Sequence, residues 1–403
     1  MEPTHTVTIT DGASAVGALR SKHLRQALYD AGDVVMADVL VNLHGPQHRD
    51  RRRLENRLFR RDTHEHYEQD LFPQIIASTL TPYVDSGHAE LVAVGHQLMM
   101  NLAAITAGVD RPLGTPEESF HLYAYLMTFI EGATLAHYAG DADAKRAEVA
   151  SALTAFDDEF LKPSIARRRD LLAQADRGEI SEEDLPRDVL TVLLRNEEGL
   201  ELPADVLLRE TCFFLLAGAH TSATAFTRTL HNLFDWLAEH PEDAGRARTD
   251  RFFVQRCVHE TIRLCPSSPV AMRWALEDVD LPGGLHIPAG AKVVIDLVAV
   301  NHDPAVWGEN ASAFDPTRVI PEHQAPWGLS FGSGMHACVG QDLAAGLAVG
   351  PNGPAENHLF GLVPVAVQWM VDHGAQPDQT NPAVIDASTA RSYWSRYPAV
   401  FTP

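Results

Sequence analysis

Phe331-Gly332-Ser333-Gly334-Met335-His336-Ala337-Cys338-Val339-Gly340 is the stretch on which the fold turns. Glycines stand six and four residues before the cysteine, where they permit a tight turn with positive φ. Such a turn can aim backbone N–H groups at a sulfur. Gly340 would let the next helix approach a flat ligand closely, and Phe331 would cover the loop. The thiolate, not the thiol, binds a metal. One cysteine in a glycine loop suits a single axial ligand better than a tetrahedral zinc site, which takes three or four protein ligands. The plain alternative is a glycine-rich turn with a chance cysteine.

The other three cysteines read differently. Cys212, Cys257 and Cys265 sit in apolar helical patterns and are expected to be small core residues. Four cysteines in 403 residues, none in a CxxC pair, make no disulfide framework. A reducing cytoplasm is the expected setting.

Upstream of the loop, Arg318 to Gly340 lacks periodicity and holds Pro321, Pro326 and four glycines. A long irregular segment inside a compact domain usually has a function. Further back the sequence is mostly helical. Phe120 to Ala136 and Arg146 to Ala173 repeat apolar residues near the helical period. Pro203 to Leu237 reads as a long buried helix, with Pro203 in its first turn and His240-Pro241 at its end. After Pro266 short extended runs appear: Arg273 to Leu276, the Pro282-Gly283-Gly284 turn, and Ala291 to Val300. Downstream, Gln341 to Val349 reads as helix, Gly350-Pro351-Asn352-Gly353-Pro354 breaks it, and His358 to Val371 resumes an apolar pattern. The fold class is mainly α with a small β region, as a single domain spanning 1–403.

A formal charge of −22 argues against general binding to nucleic acid or anionic membrane. Met1 to Gly12 is polar and unlike a signal peptide. The most apolar run, Ala289 to Val300, is too short to span a bilayer and carries Lys292 and Asp296. Against this acidity His48 to Arg61 is densely basic, with Leu54, Leu58 and Phe59 as a thin apolar stripe. Arg49, Arg51, Arg53, Arg57, Arg60 and Arg61 are either a solvated face or a docking patch for an acidic protein.

The ten-residue loop resembles the haem-binding segment of the cytochrome P450 family, Phe-x-x-Gly-x-x-x-Cys-x-Gly, and matches it at every fixed position. The resemblance runs from about Val7 to the C-terminus and is strongest from Pro203 to Gly340. It implies the bacterial type of P450 fold, with a sheet drawn mainly from about 270–300 and parts of both ends. The cofactor it implies is haem b with Cys338 as the iron ligand, enclosed by Phe331, Gly332, His336 and Gly340. Glu260-Thr261-Ile262-Arg263 resembles the family's buried Glu-x-x-Arg pair, completed by Arg318. Alone, that spacing is common on solvated helices. This triad would brace the cysteine loop rather than do chemistry.

Ala217-Gly218-Ala219-His220-Thr221 resembles the family's oxygen-activating helix segment. The small pair Ala217 and Gly218 would let haem and dioxygen approach the backbone, and Thr221 would manage proton delivery; the bland reading is a Gly and Thr kept for close helix packing. The family usually carries an acid before the threonine. His220 stands in its place and could relay protons itself, hold a substrate group or coordinate iron. His48 and Arg52, four apart on one helix face, Arg273 and His336 match family contacts to the haem propionates. Phe129, Phe213, Phe214, Ala217, Val270 and Ala271 are the expected substrate-facing residues.

The activity implied is insertion of one oxygen atom of O2 into a hydrophobic small organic substrate, with electrons from a ferredoxin and its reductase. Alternatives are a peroxide-driven oxygenase, a rearrangement enzyme, or a non-catalytic haem or ligand-binding protein. Two departures stand out. The basic helix starts early, so the fold's first helix and strand should be absent or abbreviated. The helix after Cys338 is interrupted.

Overall fold

The computed structural model describes residues 5–135, 138, 140–196, 199, 202–350, 353–387 and 393–402. Its packing divides the chain into two units: Met1–Leu24 with His64–Leu98 and Thr221–Pro403, and Arg25–Thr63 with Met99–His220. The division falls inside one helix, Ala204–Glu239, the expected long apolar element. Helices dominate both units, and the sheets are short.

The first unit holds the sheet that bears Arg273. Strand Lys292–Asp296 runs parallel to Thr6–Ile9 and antiparallel to Val270–Ala275, with Val294 opposite both Thr8 and Met272. Alternation buries Val293 and Ile295, which pack with Ile9 and with Ala15, Ala18 and Leu19 of helix Gly12–Arg20. The expected extended run to Val300 stops early. Asp296 accepts a hydrogen bond from the Ala299 amide at 2.9 Å and caps helix Leu297–Asn301. At the other end, strand Thr6–Ile9 and helix Gly12–Arg20 are present, though short, rather than missing. Asp11 caps that helix by accepting from the Ser14 amide at 2.8 Å. A second sheet pairs Pro398–Phe401 with His88–Glu90 and Ala375–Pro377.

The interruption after Cys338 is larger than the sequence suggested. Helix Gln341–Ala345 ends four residues before Val349, and the next begins at Leu362 rather than His358. Gly346 adopts φ +73°, and a Cβ there would lie 2.2 Å from the Phe360 carbonyl oxygen. The two helix ends are fastened to one side chain. The Gln255 amide donates to the carbonyls of Ala345 (3.2 Å), Leu347 (3.2 Å), Leu359 (3.4 Å) and Phe360 (3.1 Å). Glu68 accepts from the Phe360 and Gly361 amides at 3.0 and 2.8 Å, supplying the acceptor that a helix start needs. Pro351 and Asn352 of the expected breaker lie outside the described residues.

In the second unit helix Pro116–Ala133 is capped by Thr115, and the expected end at Ala136 lies outside the described residues. The expected helix Arg146 to Ala173 is the run Ala142–Phe156, a π-turn Asp157–Leu161 and Lys162–Asp176. Pro163 follows that turn, as Pro73 follows the π-turn Tyr67–Leu71 in the first unit. A proline lacks the N–H of the α ladder, and the wider turn relieves its ring of the preceding carbonyl. Among the described residues no helix is long and apolar enough to cross a membrane.

Candidate haem site

Cys338 lies at the end of a loop that closes on itself. Its amide donates to the Phe331 carbonyl at 2.8 Å, and Gly332 and Gly334 adopt φ +70° and +74°. The Gly334 position is needed for packing as well as for the turn. A Cβ there would come within 2.9 Å of the Arg20 Cα and the Leu19 carbonyl oxygen. Arg20 also donates to the Ser333 hydroxyl at 2.9 Å. The cysteine loop therefore rests on the N-terminal helix that was expected to be absent or abbreviated.

The predicted triad forms, with Glu260 and Arg263 buried and Arg318 half-buried. Arg263 is 0% exposed and donates to both Glu260 oxygens at 2.7 Å. Its third nitrogen donates to the carbonyls of Asn301 (2.6 Å) and Ala311 (2.8 Å). Arg318 donates to Glu260 Oε1 at 2.9 Å and to the carbonyls of Trp307, Asn310 and Ala313 at 3.1, 2.8 and 2.9 Å. Each nitrogen of the two guanidinium groups donates to at least one oxygen, the arrangement a buried ion pair needs.

The link from triad to cysteine loop is Asn301, which sequence reading missed. Its amide nitrogen donates to the Arg263 carbonyl and to the Ser330 hydroxyl, both at 2.9 Å. Its oxygen accepts from the Leu329 amide at 2.9 Å, and Ser330 donates to the Ile262 carbonyl at 2.7 Å. Ser330 directly precedes Phe331. Gly328, at φ +59°, passes so close that a Cβ would lie 2.3 Å from Asn301 Oδ1. An isolated Asn carries no motif; the signal available was a polar residue ending an apolar run.

The four cysteines separate as expected. Cys212 and Cys257 are buried and Cys265 is half-buried, with burial pushing all three thiols up and keeping them protonated. Cys338 is exposed. Among the described residues no group of three or more His, Cys, Asp and Glu could hold a metal ion. Cys338 thus offers one ligand, as an axial position requires. A Cβ at Gly340 would meet nothing within 4 Å, which leaves the helix start beside Cys338 open. These features fit a haem.

The central helix supports the same reading. It is largely buried around its middle, yet Phe213, Leu216, Ala217, His220 and Thr221 are partly exposed. Their spacings of three, four, seven and eight residues from Phe213 put them on one face. Ala217, His220 and Thr221 were predicted there. Gly218, also partly exposed, lies off that face by helical spacing, and a Cβ there would sit 3.3 Å from Ala103. The Thr221 carbonyl accepts from the Ser267 hydroxyl at 3.0 Å. Farther along, Arg228 donates to the Cys265 carbonyl and Asn232 to Thr261, tying this half of the helix to the Glu-x-x-Arg helix Arg251–Leu264.

Two expected substrate residues belong to the core instead. Phe129 is 0% exposed, with its ring 5.5 Å from Phe156 in a cluster with Tyr125. Phe214 is buried and stacks on Phe59 at 6.0 Å. Phe213 is half-buried, as are Val270 and Ala271.

Of the propionate candidates, Arg273 is buried on its strand and donates to the Met272 carbonyl at 2.8 Å. His336 lies in the single turn Gly334–His336 within the cysteine loop. His48 and Arg52 share the inward face of helix Gly45–Glu55. Burial first, then the charges of Arg52 and His44, bring His48 down to about 4, so its ring is neutral at ordinary pH. Arg51 leaves the surface set: it donates to the buried Glu210 at 2.8 Å. Arg49, Arg53, Arg57, Arg60 and Arg61 remain exposed.

A helix-rich fold with one exposed cysteine on a braced glycine loop defines the haem-thiolate class. The profile "Cytochrome P450" matches residues 144–346, half of the chain. The chain belongs to the cytochrome P450 family, whose cofactor is haem. It is 32% identical over 183 residues to human cytochrome P450 4F12, covering 39% of this chain and 34% of that one. It is 34% identical over 174 residues to rice cytochrome P450 734A5, covering 36% and 30%. The chain thus spans about a third of these relatives' length. Two solved structures share its fold at TM-score 0.73 and 98% coverage of this chain. They are P450BioI with an acyl-carrier-protein-linked hexadecenoic acid (19% identical, 91% of that chain covered) and myxobacterial CYP267B1 with myristic acid (20% identical, 90%).

Proposed function

We propose that this chain is a haem b monooxygenase that uses O2 to oxidise a hydrophobic small molecule, with electrons from a ferredoxin and its reductase. The carrying observation is Cys338, exposed on its braced loop while the other cysteines are wholly or partly buried. When bound, the haem supplies the activation of O2, one atom entering the substrate and the other leaving as water after two electrons and two protons arrive. Cys338 holds the group, and its loop stays rigid because Asn301 and the Glu260 triad leave it no slack. Arg52, Arg273, His336 and the neutral His48 bind the carboxylates. Phe331 covers the loop. Thr221 holds a proton on its hydroxyl, and His220 resupplies it in place of the usual acid. Phe213, Ala217, Val270 and Ala271 face the substrate, and their apolar character selects a hydrophobic one. The exposed arginines Arg49, Arg53, Arg57, Arg60 and Arg61 suit an acidic electron donor.

The test has two arms. The reduced, carbon-monoxide-treated protein should show the spectrum of a sulfur-ligated haem, and Cys338→Ser should abolish it. Turnover of a panel beginning with long-chain fatty acids should need O2 and ferredoxin. Turnover with peroxide alone would establish the peroxide-driven reading, for which His220 in the acid's position is the best support. Absence of the thiolate spectrum in the parent protein would end the proposal.

A further inference from the structure

Helix Gly45–Glu55 turns a polar face inward beside the expected apolar residues, of which Leu58 is buried and Leu54 and Phe59 are half-buried. His48 and Glu55 are buried and Arg51 and Arg52 are half-buried, while Arg49, Asp50 and Arg53 are exposed. Positions 48, 51, 52 and 55 share one helical face. Buried charge on that scale needs a partner.

The partner is Glu210, 0% exposed on the central helix. Glu210 accepts from Arg51 Nη1 at 2.8 Å and from the Leu40 amide at 3.0 and 3.1 Å. One carboxylate therefore ties down both the approach to helix Gly45–Glu55 and its middle. Glu210 also lies three residues before Phe213 and seven before Ala217, on the extension of the accessible face. The third member is Glu55, 1% exposed, with both carboxyl oxygens buried and without a hydrogen-bond partner among the described residues, near enough to Glu210 for their charges to repel.

We infer that Glu210, Arg51 and Glu55 form a clamp that fixes helix Gly45–Glu55 on the central helix and thereby sets where His48 and Arg52 stand. Glu210 and Glu55 are positioning residues for the haem carboxylates; that role rests on the proposed function. Neighbouring residues on a helix are about 100° apart. Once Arg51 is held by Glu210, the direction in which Arg52 projects is determined.

The clamp sets two buried acids beside one arginine. Groups facing Glu55 are Glu210 from the central helix and Arg51 and Arg52 from its own helix. Burial first, then the charge of Glu210, raise the Glu55 carboxyl well above the usual range, against the smaller pull of the two arginines. Burial raises the Glu210 carboxyl to about 7, against the pull of Arg51 and of the Leu40 amide that face it. The negative charge that the pair carries when one carboxyl is ionised balances Arg51. Two such carboxylates cannot both ionise without repulsion. A folded-state value raised above the unfolded one stabilises the clamp below the unfolded value. That stabilisation is lost as pH rises through the folded value.

Haem transfer to excess apomyoglobin measures the clamp directly. Glu210→Gln leaves Arg51 buried without its counter-charge, and haem should leave about tenfold faster in neutral buffer. The parent's dissociation should accelerate from neutral to alkaline buffer as Glu210, raised to about 7, loses its proton near Glu55, and Glu55→Gln should reduce the alkaline-to-neutral rate ratio. Urea midpoints of the haem-free proteins across the same pH range separate positioning from folding. Should Glu210→Gln prove too unstable to load, Arg51→Gln with Glu210→Gln removes both charges together and takes its place. An unchanged haem rate in a folded Glu210 variant, or a full alkaline rise surviving in Glu55→Gln, overturns the inference. Loss of the thiolate spectrum in the parent would fail the proposed function alone. The clamp would then stand or fall on whether Glu55→Gln flattens the alkaline decline of the haem-free midpoint.

Discussion

Asn301→Ala is the sharpest single test of how the cysteine loop is held. Asn301 is 1% exposed, and its side chain makes three hydrogen bonds, each 2.9 Å, to the Arg263 carbonyl, the Ser330 hydroxyl and the Leu329 amide. Alanine removes all three. At about 1 kcal/mol net for each bond, the loss is roughly 3 kcal/mol, and more if the Leu329 amide and Arg263 carbonyl find no water. That is on the order of a hundredfold in the folding equilibrium. Urea denaturation of the haem-free protein reads the total. Hydrogen exchange locates it: the Leu329 amide should lose protection. The Asp315 amide, which donates to Glu260 at 3.3 Å, should keep its own. Asn301→Asp keeps the acceptor for Leu329 but sets a carboxylate against the Arg263 carbonyl, and should be no more stable than alanine. A loss below about 1 kcal/mol, or unchanged exchange at Leu329, would refute the view that Asn301 carries the brace.

Three glycines give contrasting outcomes. Gly334→Ala and Gly346→Ala each combine positive φ with a Cβ inside contact distance of backbone, and should destabilise the haem-free protein by about 1–3 kcal/mol or more. Gly340→Ala meets open space, so its haem-free urea midpoint should match the parent's while its haem affinity falls. Acid sensitivity follows from two buried histidines. Burial chiefly brings His48 and His259 down to about 4, so the unfolded chain binds protons that the folded chain refuses. Haem-free stability should therefore fall as pH drops from about 6.5 to about 4 and level off below, by up to about 3 kcal/mol for each histidine. His259→Gln keeps a donor for the Ala345 carbonyl and should flatten the urea midpoint against pH over that window.

The sequence by itself determined the elements whose chemistry is local. Ten contiguous residues specify the cysteine turn, because positive φ at Gly332 and Gly334 and an exposed thiol need no distant partner to be read. The central helix was legible from its apolar run, and Glu260 with Arg263 from spacing on one helix. Tertiary structure decided what depends on residues far apart in the chain. Asn301 braces the cysteine loop from 28 positions away from Leu329. Gln255 and Glu68 fasten the helix break that local periodicity misplaced. Glu210 converts Arg51 from a presumed surface charge into a buried clamp. Phe129 and Phe214 went to the core because helical spacing gives a residue's face but not what that face meets. A side chain's phase along a helix is local geometry; its burial and counter-charge are supplied by other segments, and only folding brings those together.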